Sequence, residues 1–201
     1  GGLESLSGIP GSLGGAVVGN AGAYGQTVSG QLEAVEIFDG KGIRLLTKDE
    51  CGFAYRESVF KNKSWLILSL HYTLIPEDKD VLNKRSREII ETRNKKYDPT
   101  IKCPGSFFKN ILIENVPKTS FKFLPKDRDY YGKVPAWYFL DQVGARGMVE
   151  GGIRIADFHG NLLMNTGGAT FKDVSTLADK LKKLVLEKFG VTLEEEIRYI
   201  K

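Results

Sequence analysis

Ten of the 23 glycines in this chain fall within its first 30 residues, and that crowding restricts the N-terminal part more than any other feature. The run Gly8-Ile9-Pro10-Gly11-Ser12-Leu13-Gly14-Gly15-Ala16-Val17-Val18-Gly19-Asn20-Ala21-Gly22-Ala23-Tyr24-Gly25 sets apolar, amide and aromatic residues singly among the glycines, so it is not low-complexity filler. Glycine lacks a Cβ and tolerates positive φ, which lets a ligand approach the backbone closely. Exposed amides in such a loop suit phosphates or carbonyl-rich rings. A second reading stays open beside it: a tight corner of small residues, with a helix over residues 12–20 buried on all sides. The run is not a GxGxxG dinucleotide fingerprint, because the spacing fails and no strand precedes it.

The 201 residues, 41% hydrophobic and 27% charged, suit one large domain or two small ones with a real core. No apolar run approaches the roughly 20 residues a membrane span requires, and no signal peptide is expected. A net charge of +4 is too small to indicate a nucleic-acid surface. Cys51 and Cys103 make no disulfide framework and read as reduced thiols in a cytoplasmic protein. His71 and His159 are the only histidines, and without CxxC, HxxxH or HExxH spacing no metal site is expected.

Alternation over residues 32–38, with Leu32, Ala34, Glu36 and Phe38 set against Glu33, Val35 and Ile37, the Asp39-Gly40 turn and residues 43–47 predict a hairpin. Residues 64–74 read as a further strand, stopped by Pro76. Residues 77–97 read as a helix capped by Asp80, with Val81, Leu82, Ile89 and Ile90 as its apolar stripe. Residues 111–133 read as a loop over a site. A helix is expected over residues 136–143, ending at Gly144, then a short strand pair, residues 153–156 and 161–165. Val174, Leu177, Ala178, Leu181, Val185 and Phe189 recur at helical spacing, and Gly190 stands where a C-cap belongs. A final strand is expected over residues 191–200. This order predicts an α+β fold with two lobes.

Four constellations carry chemistry. In Tyr55-Arg56-Glu57-Ser58 the guanidinium suits bidentate capture of a carboxylate or phosphate, or else a surface salt bridge to Glu57 or Glu50. In Gly105-Ser106-Phe107-Phe108-Lys109-Asn110 the hydroxyl suits proton donation, or the segment is a turn entering a core strand. No GxSxG elbow accompanies it, so a serine hydrolase is poorly supported. In Glu194-Glu195-Glu196 an extended backbone would put Glu194 and Glu196 on one face and Glu195 on the other, and a solvated acidic edge is the alternative. His159, in a tight strand turn, is read as a surface or capping imidazole or as a site residue.

Taken in chain order, residues 8–25, Tyr55-Arg56-Glu57-Ser58-Val59-Phe60-Lys61, Gly105-Ser106-Phe107-Phe108-Lys109-Asn110 and Glu196-Ile197-Arg198 resemble the UDP-N-acetylenolpyruvoylglucosamine reductase family. These are flavoenzymes of the second committed step of bacterial peptidoglycan precursor synthesis. Cys51-Gly52-Phe53, Pro135-Ala136-Trp137, Gly151-Gly152, Asn165 with Gly168-Ala169-Thr170, and Glu187-Lys188-Phe189-Gly190 match in the same order.

The resemblance implies an FAD reduced by NADPH, which then passes hydride to UDP-N-acetylglucosamine enolpyruvate. It implies Ser106 as proton donor, with Arg56 and Glu196 flanking the enolpyruvyl carboxylate. It gives Gly11, Ser12, Gly14, Gly15, Asn20, Ala21, Gly22 and Tyr24 to the flavin. Lys96, facing the diphosphate, goes to the substrate with Lys109, Asn110 and His159. Residues 1–95 correspond to a flavin-binding domain incomplete at its N-terminus and residues 96–190 to a substrate-binding domain. Residues 191–201 correspond to a strand that carries Glu196 back to the flavin domain. The family has a further N-terminal stretch, with its own glycine-rich loop on the FAD pyrophosphate, that this sequence does not show. The alternative is therefore a UDP-sugar-binding fragment unable to hold FAD and inactive alone. The chain is expected to be a monomer or to act with the missing N-terminal segment.

Overall fold

Apolar side chains collect in two separate cores, and the chain divides into two units, Gly1–Pro99 and Thr100–Lys201. A computed structural model describes residues 1–98, 100–124 and 132–200, Lys96 by its backbone alone.

In the first unit, Ser12 is extended and its hydroxyl accepts from the Gly15 N–H at 3.1 Å, which starts α1 (Leu13–Val18). Within that helix only Val17 is buried and Leu13 is exposed, so it is not covered on all sides. A small hairpin follows, β1 (Gly22–Ala23) and β2 (Gln26–Thr27). Next comes a three-stranded antiparallel sheet of order β4-β3-β5, made from β3 (Leu32–Phe38), β4 (Ile43–Thr47) and β5 (Leu66–Tyr72). Val35 and Ile37, two apart on β3, enter the core with Leu46, Val17, Val28, Cys51 and Phe60, and Leu32, of the opposite parity, joins them across a register shift between Leu32 and Ala34 in the pairing with β5. Asp39 closes the β3–β4 turn by accepting from the Lys41 and Gly42 N–H groups at 2.9 and 3.0 Å.

The helix α2 (Lys79–Lys96) is capped by Asp78, not by the expected Asp80. The Asp78 carboxylate accepts from the Asp80 and Val81 N–H groups at 2.9 and 3.1 Å, so Asp80 already lies in the first turn. Near the other end of α2, Arg93 donates to the Ser5 and Ser7 carbonyls and so fastens the helix to the start of the unit.

In the second unit, β6 (Ile111–Leu112) pairs with β7 (Lys133–Val134), and 3-10 turns occupy Ile113–Asn115 and Lys118–Phe123. The stretch expected as one loop is therefore partly ordered backbone, because Val116 and Ser120 are buried. Its residues 125–131 lie outside the described residues. Then come α3 (Ala136–Gln142), β8 (Val149–Glu150), β9 (Ile153–Ile155) and β10 (Leu163–Asn165), the strands in the order β10-β9-β8.

The last helix, α4 (Phe171–Phe189), ends at Gly190 with φ +63°, a conformation that glycine adopts without a Cβ penalty. Its stripe Leu177, Leu181, Val185 and Phe189 packs with Phe139 and Leu140 of α3 and with Ile153 and Ile155 of β9. Full burial of each such side chain contributes about 1.5–3 kcal/mol. The expected strand over residues 191–200 does not form: a single bridge, Phe108 to Glu195, is its only β pairing among the described residues. The fold is α+β.

A capping box opens α4. The Thr170 hydroxyl accepts from the Asp173 N–H at 3.2 Å, and the Asp173 carboxylate accepts from the Thr170 N–H at 2.9 Å. The Thr170 N–H bond, foremost, holds the Asp173 carboxyl below its ordinary range. A depressed carboxyl pKa adds stability above the unfolded-state value, and that stability is lost as pH falls through the folded one. Asp173→Asn is therefore expected to destabilise the second unit at neutral pH, with the gap from wild type closing under acid. Denaturant melts at pH 7 and pH 3 check it, and a gap that persists at pH 3 removes the electrostatic cause.

Candidate functional site

The first unit draws its expected site residues together by two side-chain bonds. Asn20 Nδ2 donates to the Ala54 carbonyl at 2.8 Å, and an Arg56 guanidinium N–H donates to the Gly22 carbonyl at 3.1 Å. Ala54 and Glu57 exchange backbone hydrogen bonds at 3.1 Å in both directions, which puts Tyr55 and Arg56 at the tip of a tight turn. The Ser58 hydroxyl donates to the Val18 carbonyl at 2.7 Å and ties this turn to the end of α1. A Cβ on Gly22 would stand 2.8 Å from Thr27 Cγ2 and 3.0 Å from the Gln26 carbonyl oxygen, so the close pairing of the small hairpin is what calls for glycine there.

Among the described residues, the non-glycines with positive φ are Asn20 (+41°), Tyr24 (+47°) and Arg56 (+56°). All three are expected site residues. A left-handed conformation costs an L-residue roughly 1–2 kcal/mol and persists only where surrounding bonds impose it. Two further features open toward a ligand. Cβ atoms built on Gly11 and Gly14 would meet nothing within 4 Å. Buried Asn20 keeps its Oδ1 without a hydrogen-bond partner. Ser12 is spent on capping α1, and Gly15 supplies the N–H that it caps.

In the second unit, residues 107–109 run against residues 194–196. The Lys109 N–H donates to the Glu194 carbonyl at 2.8 Å, and the Glu196 N–H donates to the Phe107 carbonyl at 2.8 Å. Ser106 is exposed next to this ladder, while Phe107 and Phe108 are buried beneath it. Glu194 and Glu195 turn to different partners, as extended backbone requires. Glu194 pairs with the buried ammonium of Lys109, and Glu195 pairs with Lys182 of α4. Partial burial pulls the Lys182 pKa down, but the hydrogen bond and ion pair to Glu195, together with those to Asp179, outweigh it and raise the value. Burial, and then the hydrogen bond to Glu195, push the Tyr199 phenol up. Glu196 is half-buried.

The other expected substrate residues have structural partners here. Asn110 Oδ1 accepts from the Ala136 N–H at 3.4 Å, at the start of α3. His159 Nδ1 accepts from the Asn161 N–H at 3.2 Å, the turn-capping role open to it from sequence. Lys96 ends α2, and its side chain lies outside the described residues.

Sequence reasoning missed Asn161 and the Glu195–Lys182 pair. Asn161 sits in no motif, and its partners lie 53 residues away in sequence. Burial raises the Cys51 thiol to about 11, which keeps it protonated and inert at neutral pH. Among the described residues no group of three His, Cys, Asp or Glu is placed to hold a metal ion. No helix there is long and apolar enough to cross a membrane.

Residues 96–200 match the family model described as UDP-N-acetylenolpyruvoylglucosamine reductase, C-terminal domain. The UDP-N-acetylenolpyruvoylglucosamine reductase of Solibacter usitatus is 46% identical over 200 residues, covering 99% of this chain and 64% of the relative. That of Carboxydothermus hydrogenoformans is 35% identical over 200 residues, covering 99% and 60%. The crystal structure of UDP-N-acetylenolpyruvylglucosamine reductase from Thermus caldophilus superposes with a TM-score of 0.74 at 30% identity, covering 98% of this chain and 64% of that one. The chain thus spans 60% to 64% of the length of these relatives.

Proposed function

Since the chain belongs to the UDP-N-acetylenolpyruvoylglucosamine reductase family, we propose that it serves the reduction of UDP-N-acetylglucosamine enolpyruvate to UDP-N-acetylmuramate. The cofactors are FAD and NADPH, and the product is a peptidoglycan precursor. The observation that carries this reading is the ladder that sets the backbone of Glu196 against that of Phe107, next to Ser106. A cytoplasmic location belongs to the same reading, and the free thiols Cys51 and Cys103 suit it.

The first unit's residues fit a flavin. The open faces of Gly11 and Gly14 admit a flat ligand against bare backbone, and Asn20 Oδ1 offers an acceptor of the kind a ring imide N–H satisfies. Gly15, Ala21, Gly22 and Tyr24 complete the flavin set, with Ser12 holding α1 in place. Bound FAD supplies hydride, drawn from NADPH, to the enolpyruvyl double bond.

The chain's own residues have the remaining work. Hydride addition pushes charge toward the substrate carboxylate, so a fixed guanidinium such as Arg56 stabilises the transition state more than the ground state. Ser106 delivers a proton to the carbon beside the one that takes hydride. Glu196 carries or shares a proton, so that it assists the carboxylate rather than repelling it. Lys96, Lys109, Asn110 and His159 are the candidates for the sugar nucleotide. For Lys109 and Asn110 this role comes in addition to the bonds they already make.

A second reading is a chain that binds the UDP-sugar without holding FAD. One experiment separates the two. Purified protein is expected to show yellow flavin absorbance that NADPH bleaches and the enolpyruvyl sugar nucleotide restores. Colourless protein that still binds the nucleotide supports the second reading, and protein that does neither removes both.

A further inference from the structure

Asn161 is 1% exposed, and it binds the segment that follows Ser106 through three hydrogen bonds. Its Nδ2 donates to the Phe108 carbonyl at 2.8 Å, and its Oδ1 accepts from the Phe108 N–H at 2.8 Å. Its own carbonyl accepts from the Phe107 N–H at 3.0 Å. The carboxamide thus takes the place of a peptide group in a neighbouring strand.

On the opposite edge, the Glu196 N–H and the Glu194 carbonyl bind Phe107 and Lys109. Residues 107 and 108 therefore have every backbone donor and acceptor engaged, on two sides, by groups distant in sequence. Asn161 is itself held. Its N–H donates to His159 Nδ1, and the neighbouring Gly160 lies so close to Asp141 that a Cβ there would overlap the Asp141 carboxylate.

We propose that Asn161 is a positioning residue for proton delivery by Ser106, its side-chain amide acting as a one-residue strand that fixes the Phe107–Phe108 backbone. This rests on the reading of Ser106 as proton donor. The Ser106 hydroxyl is exposed and follows a glycine of positive φ, Gly105 at +85°, whereas the residues after it are pinned on both edges. The aim of the hydroxyl is then set by the rigid backbone on its C-terminal side. Misplacement by about 1 Å is worth on the order of 10²-fold in rate.

The test uses the full enzyme loaded with FAD. Asn161→Ala is expected to lower kcat 10- to 100-fold, on the order set by such misplacement. KM for the sugar nucleotide stays within a few-fold, and the solvent deuterium isotope effect rises as proton delivery becomes limiting. Asn161→Asp guards against a misfolded alanine variant. An ionised carboxylate accepts from the Phe108 N–H but repels its carbonyl, whereas a protonated carboxyl restores both bonds. Its kcat relative to wild type is expected to recover as pH is lowered, with the wild type at each pH removing the contribution of His159.

Activity that falls only in step with the folded fraction, at an unchanged isotope effect, overturns the proposal, as does a flat pH ratio for Asn161→Asp. Ser106→Ala run in parallel keeps the two readings apart. Undiminished turnover by Ser106→Ala removes the donor role and this proposal with it. A slow Ser106→Ala beside a fast, fully folded Asn161→Ala removes this proposal alone.

Discussion

Gly152→Ala is expected to destabilise the second unit by about 3 kcal/mol, which lowers the melting midpoint of a domain of about 100 residues by roughly 12–24 °C. The cause is space rather than backbone conformation. Gly151-Gly152 forms the two-residue turn between β8 and β9, and Gly151, at φ +51°, takes the left-handed position. A Cβ on Gly152 would stand 2.5 Å from the Ala169 nitrogen and 2.7 Å from its Cα, and would press on the Gly167 carbonyl oxygen. These are backbone atoms, so no side-chain rotation relieves the overlap. The loop cannot retreat cheaply either. The Gly152 carbonyl accepts from the Thr166 N–H and hydroxyl at 2.9 and 3.0 Å, and Thr170 begins the capping box of α4.

Gly151→Ala serves as the comparison. It meets the Asp173 carboxylate, a side chain that can swing aside only by giving up its capping-box bond to Thr170, and carries a left-handed penalty of about 1–2 kcal/mol. The chain has two tryptophans, Trp65 in the first unit and Trp137 in the second, so Trp65→Phe protein reports the second unit alone by fluorescence. A Gly152→Ala midpoint at or above that of Gly151→Ala would contradict the close-packing argument.

Elements with a local pattern were legible before the structure. The stripe from Val174 to Phe189 with Gly190 behind it, and the alternation of Leu32–Phe38 ahead of Asp39-Gly40, each carry their periodicity and their stop signal within a few residues. Elements decided by partners elsewhere were not. Residues 191–200 contain Val191 and Leu193, which are buried, and so imitate a strand. Their partner segment 107–109 is engaged on its other edge by Asn161, and the run forms one bridge only. The cap of α2 failed for a smaller reason. Glu77, Asp78 and Asp80 are all acidic, and only the point at which the backbone turns helical selects Asp78.

The candidate site divides along the same line. Arg56, Ser106 and Glu196 could be grouped only through resemblance, since each had a bland reading at least as good by itself. The positive φ of Tyr24 belongs to a local hairpin turn with Gly25, but the bonds that engage the side chains of Asn20 and Arg56, to Ala54 and to Gly22, each reach 34 residues along the sequence and leave no mark in composition or spacing. Asn161 shows the limit most clearly. From sequence Asn161 reads only as the first residue of an expected strand, and its bonds to the Phe108 peptide appear only once that segment lies against its carboxamide.

Ser106→Ala is expected to leave flavin reduction by NADPH near the wild-type rate while slowing reoxidation by the enolpyruvyl sugar nucleotide on the order of 10²–10⁴-fold, the usual span for a general acid. The substitution removes one oxygen from an exposed residue. Surface changes of this kind stay within about 0.5 kcal/mol of wild-type stability, so a rate loss cannot be charged to unfolding. The Phe107–Phe108 bonds to Asn161 and Glu196 persist because they are made by backbone that alanine leaves in place. On the proposed function, what disappears is the proton. One substrate carbon would take hydride and its neighbour would have to take H⁺, and a serine hydroxyl, a weak acid in water, serves only against a strongly basic carbanion with solvent kept away. Ser106→Cys keeps a transferable proton and is expected to fall between alanine and wild type. Stopped-flow absorbance separates the two half-reactions in one instrument. Reoxidation of Ser106→Ala at the wild-type rate would take the proton from another group, and Ser106 would be left as the end of a turn entering the core.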